Sequence, residues 1–421
     1  MNTFMIKSNF KALIFGAALV AALPACKGGS DQTTTAGEES PMPDSTYAPV
    51  ETKEPNSDYK PAFNGQTRAP GVKTTTPVSV TVLTSELEQP WGIVNLPDGR
   101  FLVSEKKGTM RILSADGKPQ KKVTGLPEVN SEGQGGLQDV NIDPQFASNR
   151  TVYWTYSEKT TGGNLAAVGK GKLSADETKI EDVKVIYRVT PAFDGTLHYG
   201  SRIVFDKEGN IFLSAGERSS TETREQAQQL NSSLGKIIHI TTEGKPVANG
   251  PFAGTANARA EIYSYGHRNP NGLAFNPATG DLWESEFGPR GGDEINIIRP
   301  GKNYGWPVIT YGIEYAGGKV LSGIQQKDGM EQPVYYWDPV LSPAGITFYN
   351  SDVIPEWKNN LFVGGLSSMH IARLVIKDDK VVGEERLLAD EKQRFRALTV
   401  GKDGALYAVT DGGRLYKVAK K

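Results

Sequence analysis

His198 and Glu217 flank two strands that the sequence pattern pairs as a hairpin. His198 lies in the segment Gly195–Arg202, just before an apolar strand, and Glu217 follows the strand that runs back from the turn. A hairpin would bring the carboxylate beside the imidazole, where it fixes the tautomer and raises the basicity that a general base needs. The alternative that this spacing leaves open is a surface-loop histidine near an unrelated glutamate.

Loops rich in glycine and proline follow further along the chain. They span Tyr265–Gly272, Gly288–Asn296 and Asn303–Pro307. Such irregular loops expose backbone carbonyls, and carbonyls together with carboxylates are the ligands that Ca²⁺ prefers. The composition therefore indicates a calcium site, although acidic residues beside glycine also occur in plain solvated turns.

Arg394 and Arg396 lie two residues apart on a strand near the C-terminus, so their side chains face the same side. Two guanidiniums on one face repel each other unless an anion lies between them. The pair is therefore a candidate clamp for a ligand with several carboxylates. A solvated edge strand is the alternative.

The elements that must position these residues are short strands that recur about six times from Pro77 onward. Each repeat has an apolar strand, a turn with Asp or Asn plus Gly or Pro, and a second apolar strand. The turns fall near Asp98, Asp143, Asp206, Asn276, Asn350 and Asp403. This repeat predicts an all-β fold, a six-bladed β-propeller, in which Val78–Leu83 pairs with Arg414–Val418 and closes the ring. Two packed β-sandwich domains are the alternative.

The composition excludes several classes of function. The 47 Lys and Arg nearly balance the 48 Asp and Glu, so no net field steers the chain onto nucleic acid. The single cysteine, Cys26, excludes an internal disulfide and any zinc or iron–sulfur site built from cysteines.

The N-terminus has the features of an export signal. Lys7 and Lys11 precede an apolar run over 12–23 that is too short to span a bilayer, and the run ends in Leu-Pro-Ala-Cys26, which resembles a bacterial lipobox. We expect a lipoprotein signal peptide over 1–25 and lipidation of Cys26; an ordinary secretory signal is the alternative. Residues 26–75 are rich in Thr, Ser, Pro, Gly and Glu, which predicts a flexible tether before the propeller at 76–421. The expected location is the periplasm or cell envelope, with the protein held at the outer membrane by the lipid alone.

Several motifs occur together in a characteristic order. They are Gly133–Leu137, His198 with Arg202, Ser264–Gly272, Gly288–Pro289 with Asp293–Asn296, Asn303–Pro307, and Arg394–Arg396. In this order they resemble the soluble quinoprotein aldose sugar dehydrogenases of the glucose/sorbosone dehydrogenase family, from about Pro90 to Val418. The resemblance implies a six-bladed propeller, which agrees with the repeat count, and pyrroloquinoline quinone (PQQ) held with Ca²⁺.

The resemblance also implies catalytic roles. His198 would take the proton from the anomeric hydroxyl of the sugar, and Glu217 would orient it and stabilise the imidazolium. Arg268 would stabilise negative charge on the quinone oxygen, with Asn269 beside it on the cofactor and Gln134 in contact with the bound ligand.

The other matched residues would bind ions or the carboxylates of the cofactor. By this resemblance the active-site Ca²⁺ is held by the carbonyls of Gly288 and Pro289, a second, structural Ca²⁺ by Glu294 and Tyr304, and the PQQ carboxylates by Arg394 and Arg396. Three positions depart from the family pattern: Ser367 where a lysine is common, and Phe287 and Leu197 where polar residues are common.

The function that follows is oxidation of aldose sugars to lactones, with electrons passed on to an acceptor such as a quinone or cytochrome. One alternative is a Ca²⁺-dependent propeller hydrolase such as a lactonase, which would need an ion ringed by side-chain carboxylates and no paired arginines. Another is a non-catalytic carbohydrate-binding surface lipoprotein. Retention of His198, Arg268 and the arginine pair argues against this last alternative, and Ser367 keeps it open.

Overall fold

Six four-stranded antiparallel sheets make up the fold. The structure is a computed structural model that describes residues 47–421, and within this range there are 24 β-strands. Each sheet is one blade of a β-propeller, so the prediction of an all-β, six-bladed propeller is confirmed.

Blades 1 to 5 are each built from four consecutive strands. Blade 1 has β2 (Pro90–Asn95), β3 (Phe101–Glu105), β4 (Thr109–Leu113) and β5 (Pro119–Val123). Blade 2 has β6 (Leu137–Ile142), β7 (Thr151–Thr160), β8 (Gly163–Leu173) and β9 (Ile180–Arg188). Blade 3 has β10 (Gly200–Phe205), β11 (Ile211–Ala215), β12 (Lys236–Ile240) and β13 (Ile262–Tyr265). Blade 4 has β14 (Pro270–Phe275), β15 (Leu282–Glu286), β16 (Asp293–Ile298) and β17 (Tyr335–Trp337). Blade 5 has β18 (Pro343–Phe348), β19 (Leu361–Gly365), β20 (Ile371–Lys377) and β21 (Lys380–Leu387).

Blade 6 closes the ring. It has β22 (Phe395–Val400), β23 (Leu406–Thr410), β24 (Leu415–Lys420) and, as its outer strand, β1 (Val78–Thr84). β1 runs antiparallel to β24, from Val78 opposite Lys420 to Thr84 opposite Leu415. The predicted pairing of the two ends is therefore confirmed, and it removes an open sheet edge. Helical structure in the described residues is short: α1 (Phe146–Asn149) and 3₁₀ turns at Arg224–Gln228, Pro355–Trp357 and Ala389–Glu391.

The first strands of neighbouring blades contact one another around the ring. In all six blades the register between the first and second strands shifts near the start of the first strand, at a β-bulge or similar irregularity. In blade 3 the Ser214 hydroxyl accepts the Arg202 N–H (2.9 Å) and donates to the Pro270 carbonyl (2.8 Å) beside this bulge. Bulges re-aim side chains out of a regular ladder, so the segments before the first strands are free to carry a site.

Apolar side chains fill the spaces between neighbouring blades. Trp154, Trp283 and Trp357 are fully buried there. A side chain of this size removes roughly 150–250 Å² from water, which contributes about 4–6 kcal/mol before the opposing entropy is counted. These layers hold the blades, and therefore the loops above them, in fixed relative positions.

Residues 47–75, the N-terminal arm, lie against blades 4 and 5. The prediction of a flexible tether is therefore wrong for this stretch. Gly71 bridges Tyr47 on one side and Glu384 of β21 on the other, and the fully buried Gln66 donates from its amide to the Pro333 carbonyl (2.9 Å). A polar composition indicates that a segment cannot form its own core, but this arm docks through hydrogen bonds to an existing surface.

The predicted signal peptide over 1–25, the lipidation of Cys26 and the first part of the tether lie outside the described residues. Over 47–421, the structure contains no helix with the length and apolar character needed to cross a membrane.

Candidate active site

A cavity of about 690 Å³ opens where the segments before the first strands converge. All six blades contribute to its wall, through Gln89, Gln134, His198, Arg268, Ser342 and Arg394 among others. The predicted site residues that line it are Gln134, His198, Arg268, Asn269, Gly288, Pro289, Arg394 and Arg396. Glu217, Glu294 and Tyr304 are not part of this lining, and their places are described below.

His198 is held on three sides. Its Nδ1 lies 2.7 Å from Oε1 of Glu217, and both side chains are buried. The His198 N–H donates to the Gln134 side-chain carbonyl (2.8 Å), and the His198 carbonyl accepts the Arg218 N–H (3.2 Å). These bonds hold a backbone φ of 49°, which is uncommon outside glycine. With Nδ1 bonded to Glu217, Nε2 is the ring nitrogen left for the cavity.

The His198 ring is neutral at physiological pH. Burial, together with the nearby charge of Arg268, lowers the pKa of His198 to about 4, although Glu217 acts in the opposite direction. A neutral imidazole has a lone pair with which to accept a proton. The arrangement therefore suits a general base.

Arg268 connects the histidine to the loop after β15. Its Nη1 donates to the carbonyls of Phe287 (3.1 Å) and Gly288 (2.6 Å), and its own carbonyl accepts the Glu217 N–H (2.9 Å). The guanidinium lies 5.1 Å from the Trp306 ring, and its Nε is buried without a partner. An unpartnered buried donor costs about 1–3 kcal/mol, so the site favours a ligand that supplies an acceptor oxygen here.

Asp293 holds two loops of the cavity together. One carboxylate oxygen accepts the Gly288 N–H (2.9 Å), and the other accepts the N–H groups of Leu341 and Ser342 (2.7 Å each). Burial raises the pKa of Asp293 to about 6 despite these three bonds. The carboxylate fixes the loop whose Gly288 and Pro289 carbonyls were predicted to hold calcium.

The arginine pair is bridged by a carboxylate of the protein itself. Arg394 Nε lies 2.9 Å from one oxygen of Asp411, and Arg396 donates to both oxygens at 2.8 and 3.0 Å. Burial alone would raise the pKa of Asp411, but the two guanidiniums hold it below its usual range. The two arginines and Asp411 together carry a net charge of +1. The guanidinium N–H groups that do not bond Asp411 remain available to an anionic ligand.

An acidic cluster adjoins the backbone of Arg268. It consists of His267, Glu284 and Glu286, which are buried, and Glu294, which is half-buried. The ligand atoms of the first three lie within 4.8 Å of one another. The Asn296 amide donates to all three carboxylates at 3.1–3.4 Å, and Glu286 also accepts the Arg268 N–H (2.6 Å). Burial, and then the charge of Glu286, raise the pKa of both Glu284 and Glu294 well above the usual range.

Tyr304 borders this cluster. Its ring stacks on His267 at 4.7 Å, while its hydroxyl donates to the Ile297 carbonyl (2.5 Å) and accepts the Arg299 N–H (2.8 Å). The Tyr304 hydroxyl is thus already bonded to the protein, so its backbone carbonyl is the better candidate ligand for the second calcium.

Comparisons with known proteins identify the family of the chain. The model of the Glucose / Sorbosone dehydrogenase family matches residues 87–417. The chain belongs to this family. It is 41% identical over 349 residues to the aldose sugar dehydrogenase YliI of Escherichia coli (strain K12), which covers 82% of this chain and 93% of that protein.

Two solved structures of the same kind are similar to this chain. The soluble aldose sugar dehydrogenase from Escherichia coli in the apo-form aligns with a TM-score of 0.78 at 41% identity, over 82% of this chain and 100% of that one. The PQQ-bound aldose sugar dehydrogenase from Streptomyces coelicolor aligns with a TM-score of 0.66 at 27% identity, over 82% and 99%. The resemblance drawn from the motifs is therefore confirmed.

Two carboxylates of this family member were given no role from the sequence. Asp411 follows β23, so the pairing of Phe395 with Thr410 places it beside Arg394; counting that register would have found it. Asp293 bonds a loop more than forty residues away in sequence, and no local pattern signals such a bond.

Of the three departures from the family pattern, Ser367 and Phe287 line the cavity and Leu197 does not. The Ser367 hydroxyl, where a lysine is common, lies 2.8 Å from that of Ser342. Phe287 lines the cavity, and Leu197 is 40% exposed. The cations that line the cavity are Lys106 and four arginines, Arg268, Arg290, Arg394 and Arg396.

Proposed function

We propose that this protein oxidises the anomeric carbon of aldose sugars to a lactone, with PQQ and Ca²⁺ as cofactors. The observation that carries the proposal is a buried, neutral His198, bonded to Glu217, that opens onto the same cavity as Arg268 and the arginine pair. The names of the relatives support the same reaction class.

The residues present fit an anionic quinone cofactor. Arg394 and Arg396 would hold its carboxylates, Asn269 would lie beside it, and the unpartnered Nε of Arg268 would meet an acceptor oxygen. When bound, PQQ supplies the two-electron acceptor for the anomeric hydride, and Ca²⁺ polarises it as a Lewis acid.

His198 does the acid–base part of the reaction. Its Nε2 takes the proton of the anomeric hydroxyl, and the resulting imidazolium is stabilised through Nδ1–H by Glu217. The Gln134 side-chain carbonyl accepts the His198 backbone N–H and so helps to fix the position of the ring in the cavity. Arg268 presents a fixed positive charge to the side where negative charge develops.

The calcium proposals rest on the donor sets. Gly288 and Pro289 line the cavity, and their carbonyls would hold the active-site ion; the Gly288 carbonyl also accepts a hydrogen bond from Arg268 (2.6 Å). Glu294 would hold the structural ion with Tyr304; burial and the charge of Glu286 raise the pKa of Glu294, and a bound cation would oppose both effects. The hydrolase alternative is less well supported, because Asp293 and Asp411, the two carboxylates among the described lining residues, are already bonded to the protein.

The test is reconstitution. The metal- and cofactor-free protein is mixed with PQQ and Ca²⁺, and aldose-dependent dye reduction is followed with either component omitted as a control. Activity that needs both supports the proposal. A fully loaded protein that oxidises no aldose would sink it, and lactone hydrolysis would favour the hydrolase instead.

The pH profile provides a second check. The pKa of His198 lies near 4, so the neutral base persists well below pH 6.5 and is lost only as the pH falls through about 4. We expect the acid limb of kcat/KM to lie near pH 4, measured in buffers of constant ionic strength with circular dichroism to confirm folding. A limb near 6.5 would mean that the ring is not held as described.

We propose that Cys26 anchors the protein in the cell envelope by a lipid attached to the outer membrane, and that a quinone or cytochrome takes the electrons. The lipobox-like Leu-Pro-Ala-Cys sequence supports the anchor. Cys26→Ser should shift the full-length protein from the membrane to the soluble fraction of its bacterial host. Unchanged fractionation of Cys26→Ser, with no incorporation of labelled fatty acid into the wild type, would contradict lipidation.

A further inference from the structure

The N-terminal arm contributes a residue to the active-site cavity. Asn56 lines the cavity together with Arg290, Tyr315 and Val340. The arm, residues 47–75, lies before the family match, which begins at residue 87. The wall of the cavity thus includes a part of the chain that the family model does not cover.

Asn56 is bonded through every polar group of its side chain. Its amide donates to Oδ1 of Asp338 and to the Pro339 carbonyl, both at 2.9 Å, and its backbone N–H donates to Asp338 as well (2.9 Å). Its side-chain oxygen accepts a hydrogen bond from Nε of Arg290 (3.2 Å). A single asparagine therefore joins the arm to the loop before blade 5 and to the arginine after Pro289.

Arg290 depends on this contact. Over residues 47–421, the Asn56 oxygen is the one hydrogen-bond partner of the Arg290 guanidinium, whose remaining N–H groups are free at the exposed mouth of the cavity. The Arg290 backbone is fixed by reciprocal bonds with Ile313 (2.9 and 3.1 Å). Without this contact the side chain would be free to turn into solvent, and ligand binding would then cost the conformational entropy of immobilising it.

The arm is fixed on the C-terminal side of Asn56. Arg68 donates to the carbonyls of Glu51 (2.9 Å) and Asp338 (3.0 Å), and Ala69 and Val72 are buried. Asn56 is therefore part of a docked structure, which can orient a neighbour.

The residues proposed for the chemistry are buried, whereas the mouth of the cavity is exposed. His198, Arg268 and Asn269 are each 5% exposed or less at the base of the cavity, whereas Tyr315 at the mouth is 68% exposed. A sugar whose anomeric carbon meets His198 directs its remote end, or a second sugar unit, towards the mouth. The free guanidinium donors of Arg290 and the Tyr315 ring, which lies 6.0 Å from the Arg268 guanidinium, line the same cavity and suit hydroxyl-rich rings.

We infer that Asn56 is a positioning residue that holds Arg290 over the mouth, where the guanidinium binds the second unit of a reducing disaccharide. This inference rests on the proposed function for the orientation of the sugar. It adds the arm as a determinant of substrate selection.

The test uses maltose and glucose as probes, with direct binding measured by calorimetry on the full-length protein loaded with Ca²⁺ and with PQQ reduced beforehand, so that neither sugar is oxidised during the titration. Asn56→Ala and Arg290→Ala should each weaken maltose binding about ten- to hundredfold, the value of one hydrogen bond to a charged group, and change glucose binding less than twofold. The double variant should bind no more weakly than Arg290→Ala, because both changes remove one interaction. In turnover, KM for maltose should rise with kcat unchanged.

Asn64→Ala is the matched control, because Asn64 lies on the same arm, is exposed and makes no side-chain hydrogen bond within residues 47–421. It should bind maltose as the wild type does. Arg290→Ala leaves the Asn56–Asp338 bonds in place, so it separates loss of the contact from loosening of the arm.

Unchanged maltose binding in Asn56→Ala, fully additive losses in the double variant, or a wild type that does not bind maltose would each overturn the inference. Selective loss of maltose binding in a protein that reduces no dye would retain it and contradict only the proposed oxidation.

Discussion

Replacing His198 by alanine should lower kcat for aldose oxidation by about 10²–10⁴-fold, the usual contribution of a general base. The ring is buried at 5% exposure, neutral at physiological pH and bonded to Glu217 at 2.7 Å. No other histidine lines the cavity within the described residues, so no neighbour would replace it. PQQ binding, followed by absorbance titration, should be nearly unchanged.

Glu217→Gln should approach the same loss, although it preserves the size of the side chain. An amide can turn its NH₂ towards Nδ1, which would place the ring proton on Nε2 and remove the lone pair that accepts the substrate proton. The control is His239→Ala: His239 is bonded to Asp206 at 2.8 Å and lies outside the cavity. A kcat for His198→Ala within threefold of the control would remove His198 from the mechanism.

The features that the sequence predicts well are local in the chain. His198 and Glu217 are joined by one hairpin, β10 and β11, so strand alternation and one turn are enough to bring them together. The six blades follow from the same argument applied six times. The pairing of β1 with β24 is the exception, since it joins the first and last strands of the propeller. The sequence still predicts it, because a closed propeller has one unpaired edge at which an additional strand can pair.

The features that the sequence does not predict depend on distant partners. Asp293 is bonded to Leu341 and Ser342, and Asn56 to Asp338 and Arg290. The residue types on both sides are ordinary in loops, so no spacing rule selects them. The composition of the arm gave a wrong prediction for the same reason. Composition indicates how much apolar surface a segment can bury by itself, and it does not indicate which hydrogen bonds the segment can form with the folded propeller.

The largest expected loss of stability follows from Asp139→Asn. Asp139 and Arg202 form a buried ion pair at 2.7 Å between blades 2 and 3, at 3% and 7% exposure. The second Asp139 oxygen accepts the Ile203 N–H (2.9 Å), and Arg202 also donates to the Asn271 carbonyl (3.0 Å) and lies 4.2 Å from the Trp91 ring. The pair therefore links the inner strands of four blades beneath the cavity.

Removing the aspartate charge leaves a buried arginine, at 7% exposure, that cannot lose its proton. We expect a loss of about 3–5 kcal/mol in the free energy of unfolding, measured by urea unfolding of the metal-free protein at pH 7. Arg202→Met should cost less, because burial already raises the pKa of Asp139 despite its partner, so the unpaired carboxyl can take up a proton and become neutral.

Asp139→Asn thus leaves a buried positive charge that cannot be neutralised, whereas Arg202→Met leaves a carboxylate that can be neutralised by taking up a proton. The double variant Asp139→Asn/Arg202→Met should recover part of the loss, since no buried charge remains. Asp116→Asn is the control, because Asp116 pairs with Lys118 at 3.1 Å with both side chains largely exposed, and such pairs contribute little. If Asp139→Asn were no more destabilised than this surface variant, or than Arg202→Met, the ion pair would not be the element that ties the inner strands together.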